Sequence, residues 1–205
     1  PWAHVRWQRG TVKAGAFAAG RFYAQGVGDR QVVELDATGV TTRFDATELR
    51  RLVTLADGAL VAADFGHGIF VRAPGEAVFS RVLDVALIDL VASADGLVAV
   101  GLGEADRSVY ALTPGPTPGL RWITTDPRAN ALALTARGDT VIAAHGDRLV
   151  AYDVASGRML AQYPSPVEVV ALAVSPDGAW LAAGGANGNV QVWRRESAQP
   201  VASIG

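Results

Sequence analysis

The chain has 205 residues, of which half are apolar and 19% are charged, and its formal net charge is −2. This balance excludes an intrinsically disordered chain, and nothing in it points to a nucleic-acid or membrane-surface partner. The sequence contains no cysteine, which excludes disulfides, thiolate catalysis and cysteine-bound zinc.

The first predicted element is a short strand over residues 4–9. Apolar Val5 and Trp7 alternate there with polar Arg6 and Gln8, and such alternation is typical of a half-exposed strand. We expect this strand to be an extra outer strand that belongs to a preceding or a closing repeat.

The rest of the chain repeats with a period of about 40 residues. A turn glycine marks each copy, at Gly20, Gly58, Gly96, Gly138 and Gly178. An apolar run rich in small residues follows each of these turns, and two further short runs follow that one. The runs are short, rich in valine and aromatic residues, and bounded by glycine, aspartate or asparagine, so they indicate strands. The predicted repeats span about residues 11–45, 50–83, 88–123, 130–163 and 168–204.

Four strands in each repeat predict an all-β chain, a β-propeller of four-stranded antiparallel blades. Alanine and glycine in the second strand of each repeat let neighbouring sheets approach closely. A single four-stranded sheet cannot bury both of its faces, so the copies need one another for stability.

The last copy, VVALAVSPDGAWLAAGGANGNVQVW at residues 169–193, resembles a blade of the WD-repeat family. It carries the family's Pro-Asp-Gly turn and closing tryptophan, Trp193. Residues 131–153 resemble the same pattern. No copy has the family's Gly-His pair, and Arg194 stands where the family has aspartate, so the hydrogen-bonded tetrad of a typical blade is not expected in full. The resemblance implies a divergent, bacterial WD-like propeller that acts by docking.

The strand at residues 4–9 is one more than five four-stranded blades require. Both ends of the chain therefore offer an outer strand for one position. We predict that the chain is part of a larger ring of about six to eight blades. A closed ring of five blades is the alternative.

The candidate binding residues lie in the connections between blades and in the turn between the second and third strands. In a propeller of this kind those segments share one face, where several arginines suit a protein or peptide partner. The candidates are Arg50, Arg51, His67, Arg107, Arg128, Asn130, His145 and Arg148. The alternative to a binding face is an ordinary rim of solvated side chains. His67 and His145 would then be turn residues, a position that histidine occupies because it tolerates left-handed backbone geometry.

Few residues in the sequence indicate catalysis. Asp89 is a carboxylate on an inner strand, and Asp64 at the end of a second strand could approach it. Glycosidases need two carboxyl groups flanking the scissile bond. No nucleophile elbow, phosphate loop or zinc-protease motif occurs.

We therefore predict a non-enzymatic scaffold or sensor module that binds a protein, a peptide or other domains of the same protein. It is expected to be the propeller portion of a larger protein, with no cofactor, no metal, no nucleic-acid partner and no membrane insertion. A cytoplasmic location is favoured. The alternatives are a hydrolase of the lactonase or glycosidase type, with its site in the central channel, and a five-bladed lectin.

Overall fold

The computed structural model describes residues 12–18, 20–64, 66, 68–113, 119–124, 129–165 and 168–205. These residues form five four-stranded antiparallel sheets and no helix, so the predicted all-β fold is confirmed and is consistent with a β-propeller of five blades. No helix long and apolar enough to cross a membrane occurs in this part of the chain. The strand predicted at residues 4–9 lies outside the described residues, as do His67 and Arg128.

Each sheet is a simple up-and-down meander whose strands pair in chain order. Sheet 1 contains β1 (Val12–Ala18), β2 (Arg21–Gly26), β3 (Gln31–Asp36) and β4 (Gly39–Asp45). Sheet 2 contains β5 (Leu49–Thr54), β6 (Leu60–Asp64), β7 (Ile69–Arg72) and β8 (Ser80–Leu83). Sheet 3 contains β9 (Leu87–Ala92), β10 (Ala99–Gly103), β11 (Val109–Thr113) and β12 (Gly119–Thr124). Sheet 4 contains β13 (Ala129–Leu134), β14 (Thr140–His145), β15 (Arg148–Asp153) and β16 (Met159–Pro164). Sheet 5 contains β17 (Val169–Val174), β18 (Trp180–Gly185), β19 (Val190–Arg194) and β20 (Pro200–Ile204).

The turn between the first and second strands of a sheet is closed by local side chains, as the turn of sheet 5 shows. The Asp177 carboxylate accepts the N–H of Ala179 at 3.0 Å, and the Ser175 hydroxyl accepts the N–H of Trp180 at 2.9 Å. Gly178 has a φ of 72°, a left-handed conformation that glycine adopts without steric cost. The sequence Ser-Pro-Asp-Gly therefore specifies this turn by itself.

The sheets stack in chain order through their inner strands. β1 contacts β5, β5 contacts β9, β9 contacts β13, and β13 contacts β17. Each neighbouring pair of sheets, from 1 with 2 to 4 with 5, encloses its own apolar core. β1 and β17 form no comparable packing contact, so among the described residues the two terminal sheets do not share a core.

The core between sheets 4 and 5 is centred on Trp193, whose side chain is fully buried. Leu181 and Ala183 of β18 lie beside it, facing Ile142 and Leu149 of sheet 4. The Trp193 indole Nε1 has no hydrogen-bond partner among the described residues. The tryptophan of this blade therefore stabilises the fold by packing and not through a polar tetrad.

Candidate functional site

The polar residues of interest gather at one end of the sheets. In each meander the first strand begins, and the second strand turns into the third, at the same end. We call this end the strand-start face. Its described charged and amide side chains include Lys13, Glu48, Arg50, Arg51, Asp89, Glu104, Arg107, Asn130 and Arg148.

Two of the predicted arginines lie at the start of β5 and bind carboxylates of the next sheet. Both terminal nitrogens of Arg50 lie 3.3 Å from Glu104 Oε1, and Arg51 Nε donates to Asp89 Oδ1 at 2.8 Å. About half of the Arg51 side chain is exposed, and exposed pairs of this kind contribute only about 0.2–1 kcal/mol. Both ion pairs therefore link sheet 2 to sheet 3 at the strand-start face, and the exposed Arg51–Asp89 pair adds little to the stability of the fold.

Polar side chains of sheet 1 also bind the connection between sheets 1 and 2. Gln25, which is fully buried, donates from Nε2 to the carbonyl of Thr47 at 2.7 Å and accepts the N–H of Leu49 at 2.6 Å. Lys13 of β1 pairs with Glu48 of the same connection. One amide side chain thus bonds two backbone groups, at Thr47 and Leu49, and ties the connection to sheet 1.

Arg107 is the described non-glycine residue with a positive φ, at 56°. Its turn is held by Asp106, whose carboxylate accepts the N–H of Ser108 at 3.0 Å and the hydroxyl of Tyr110. Partial burial would raise the pKa of Asp106, but the hydrogen bonds from Tyr110 and Ser108 outweigh it and hold this pKa below its usual value. Arg107 itself is exposed and makes no ion pair with another described residue. A left-handed conformation costs a residue with a side chain about 1–2 kcal/mol, so the turn presents this guanidinium at a structural cost.

The candidates on sheet 4 are less accessible. Asn130 and Arg148 are half-buried at the starts of β13 and β15. His145, expected in an exposed turn, is instead the last residue of β14 and is buried. Its ring meets that of Tyr152 edge-on with centroids 6.2 Å apart, and its Nε2 lies 3.5 Å from the Tyr152 hydroxyl. The turn begins one residue later than the sequence indicates, so the His145 side chain faces the core and not the rim.

The two carboxylates of the alternative hydrolase site lie in different environments. Asp64 is the last residue of β6 and is fully buried, with its backbone N–H bonded to the carbonyl of Gly68 at 3.3 Å. Asp89 lies on β9 and binds Arg51. Among the described residues, no group of three or more histidine or acidic side chains is placed to hold a metal ion.

A cleft of about 640 Å³ opens at the opposite end of the inner strands. It is lined by the end of β1, the end of β5 and the first turns of sheets 2 and 3, and it includes the exposed ring of Phe17. Thr54 donates from its hydroxyl to the carbonyl of Phe17 at 2.7 Å, which joins β1 to β5 beside the cleft. Sequence reasoning did not indicate this cleft, because it arises from the spacing between sheets and not from any one segment.

Sequence reasoning also missed Glu104. This residue lies in the segment GLGEAD, which reads only as a glycine-rich turn, and its partner Arg50 is 54 residues away along the chain. The dipeptide Asp-Arg occurs in this turn as it does at residues 29–30 and 147–148, but that recurrence does not indicate Glu104.

A comparison with known families gives one match over part of the chain. The family model described as "WD40: WD domain, G-beta repeat" matches residues 157–194, which include β16 to β19. No curated protein matches the chain. The match at residues 157–194 and the repeated four-stranded antiparallel sheets together fit a WD-repeat, propeller-like family.

Proposed function

We propose that the chain is a non-catalytic module that binds a protein or peptide at its strand-start face. WD40 domains are generally non-catalytic scaffolds that mediate protein–protein interactions, and the match at residues 157–194 supports a module of that kind. The observation that carries the choice of face is Arg107, an exposed arginine kept in a left-handed turn.

Arg107 fits a binding role because its conformation is costly and its guanidinium is not used within the described structure. Unfavourable backbone conformations cluster at functional sites, where surrounding bonds maintain them. Here Asp106 supplies those bonds to Ser108 and Tyr110. Arginine is also enriched among the residues that dominate binding energy at interfaces.

The neighbouring pairs suggest the chemistry of the partner. Glu104, at the start of the same turn, binds Arg50, and the adjacent Arg51 is half exposed while bound to Asp89. The exposed guanidinium of Arg107 and the half-exposed guanidinium of Arg51 thus both lie at the strand-start face. Because a guanidinium binds a carboxylate through two parallel hydrogen bonds, we propose that the partner segment is acidic.

The test is selection from a displayed library of random peptides, followed by affinity measurement on the selected peptides. We expect acidic peptides to be enriched and Arg107→Glu to weaken their binding at least tenfold, about 1.4 kcal/mol. Arg137→Glu is the matched control, because Arg137 is an exposed arginine in a turn at the opposite end of the sheets. Equal binding by the parent and Arg107→Glu chains, or enrichment of basic peptides, would contradict the proposal.

A second variant separates binding from stability. Arg107→Gly relieves the left-handed conformation, so we expect the free energy of unfolding to rise by about 0.5–1 kcal/mol while the affinity for the selected peptides falls. If Arg107→Gly kept the peptide affinity, the guanidinium would have no part in binding. The hydrolase and lectin alternatives have no comparable supporting observation among the described residues.

A further inference from the structure

The cleft at the ends of β1, β5 and β9 differs in charge from the strand-start face. Asp57 and Asp95 belong to its lining, and no lysine, arginine or histidine is among the described residues that line it. Its volume of about 640 Å³ lies within the range typical of ligand pockets, about 300–1,000 Å³. A cleft lined by charge of one sign attracts ligands of the opposite sign. This cleft therefore favours a cationic ligand.

The two carboxylates of the cleft lie in equivalent turns of sheets 2 and 3, and these turns are bonded to each other. The N–H of Ala56 donates to the carbonyl of Gly96 at 3.0 Å. Asp57 follows Ala56 directly, and Asp95 directly precedes Gly96. A Cβ on Gly96 would lie 2.5 Å from the Ala56 nitrogen, so the two turns are in close backbone contact. The turn backbones are thus positioned before a ligand arrives, which lowers the ordering cost of binding.

Both carboxylates keep one oxygen for a ligand. Oδ1 of Asp57 accepts the N–H of Ala59 at 2.9 Å. Oδ1 of Asp95 accepts the Ser93 hydroxyl at 2.6 Å and the N–H of Leu97 at 3.0 Å. The Oδ2 atoms of both aspartates accept no hydrogen bond from another described residue. The bonds from Ser93 and Leu97 hold the pKa of Asp95 below its usual value of 3.8, so this carboxylate is ionised at neutral pH.

The rest of the lining suits a peptide better than a free cation. Ala56 and Ala94 are exposed, and Phe17 is 65% exposed. The aliphatic stems of lysine and arginine pack on apolar surface of this kind while the charged end reaches polar groups. β1, β5 and β9 are edge strands of their sheets, and the backbone groups on the free side of an edge strand can bond an extended peptide. A free cation would use the carboxylates alone.

We propose that the cleft binds a basic peptide segment, of which one lysine or arginine side chain is bound by Asp57 and Asp95. The aliphatic stem of that side chain packs on the apolar part of the lining, and its charged end donates to the free carboxylate oxygens. This site is independent of the acidic peptide at the strand-start face, because it lies at the opposite end of the inner strands and selects the opposite charge.

The experiment titrates the full chain, labelled with ¹⁵N, with the end-capped peptide Gly-Lys-Gly-Lys-Gly and follows the amide chemical shifts. We expect saturable shifts at residues 52–58 and 92–96, and none there with the matched peptide Gly-Glu-Gly-Glu-Gly. The double variant Asp57→Asn with Asp95→Asn should raise the Kd for the lysine peptide at least tenfold. Asparagine keeps a side-chain oxygen for the turn, so this variant removes the charges without removing the acceptors of the turn.

Asp177→Asn is the matched control, because Asp177 accepts the N–H of Ala179 in the equivalent turn of sheet 5 and does not line the cleft. This variant should leave the Kd unchanged, whereas Ala56→Trp should raise it by filling the cleft. An equal Kd for the parent chain and the double variant, or shifts confined to other residues, would overturn the proposal. If spermidine shifted these amides and the lysine peptide did not, a free polyamine would be the occupant and the proposal would be wrong.

Discussion

The two faces of sheet 5 have similar composition and opposite environments. Leu181, Ala183 and Trp193 on one face are buried against sheet 4, whereas Trp180 and Val190 on the other are 38% exposed. The strands, their pairing and the turns are common to both faces. The comparison shows that strand formation in this chain depends on local pattern, while the stabilisation gained from a given apolar side chain depends on whether a neighbouring sheet covers it.

Substitutions of the two tryptophans of sheet 5 should give the largest difference in the free energy of unfolding between its two faces. We expect Trp193→Ala to lower the free energy of unfolding by about 3–5 kcal/mol, because it leaves a cavity in the core. Trp180→Ala should lower it by less than about 1 kcal/mol. Equilibrium urea unfolding followed by circular dichroism measures both.

Trp193→Phe is the control for the polar part of the indole. Because Nε1 of Trp193 has no partner among the described residues, this change removes no hydrogen bond and should cost less than Trp193→Ala, since it leaves a smaller cavity. Equal losses for Trp193→Ala and Trp180→Ala would show that the face of sheet 5 that carries Trp180 is covered in solution.

Leu149 and Val190 hold equivalent positions in the third strands of sheets 4 and 5, and they give a smaller test of the same difference. Leu149→Ala should cost about 2–5 kcal/mol, because Leu149 is enclosed between sheets 4 and 5. Val190→Ala should change the free energy of unfolding by no more than about 0.5 kcal/mol. Thermal unfolding of the two variants and the parent chain measures both changes. If Val190→Ala were as destabilising as Leu149→Ala, the prediction would be wrong.

The turn glycines extend the comparison to sheet 3. A Cβ on Gly96 would lie 2.5 Å from the backbone nitrogen of Ala56, whereas a Cβ on Gly178 would meet side chains alone, the end of Arg195 at 3.3 Å and Thr135 Cγ2 at 4.0 Å. Both glycines have a left-handed φ. We expect Gly96→Ala to destabilise the fold by about 1–2 kcal/mol more than Gly178→Ala, because the backbone of sheet 2 cannot move aside. Chemical unfolding of both variants tests this, and equal losses would contradict it.

The smallest expected effect concerns acid stability at the sheet 5 turn. The hydrogen bonds from the Ser175 hydroxyl and the Ala179 N–H lower the pKa of Asp177 below its usual value of 3.8. The unfolded chain therefore binds a proton more readily, and this contribution to stability is lost as the pH falls below about 4 and through the lowered pKa. Asp177→Asn should flatten the fall in melting temperature on acidification, measured from about pH 6 to pH 2.5. An unchanged pH profile would show that this carboxylate does not contribute.

Much of the fold could be predicted because its signals are local. The inner strand expected around Asp89 is β9 (Leu87–Ala92), and the glycine turns occur where the repeat predicts them. The candidate site was predicted less well. Arg107 was predicted from its position in a turn between a second and a third strand, but the pairing of Arg50 with Glu104 joins residues from different sheets, and no local pattern encodes that contact.

The sequence by itself determined the number of repeats, the four strands of each and the turns between them, because alternation of apolar residues and glycine-containing turns act over a few residues. Tertiary structure decided which apolar faces are covered, which arginines are bound by carboxylates and that His145 faces the core. These features depend on how neighbouring sheets approach one another. Trp180 and Trp193 are the same residue type in the same sheet, and only the presence of sheet 4 makes one a core residue and the other a surface residue.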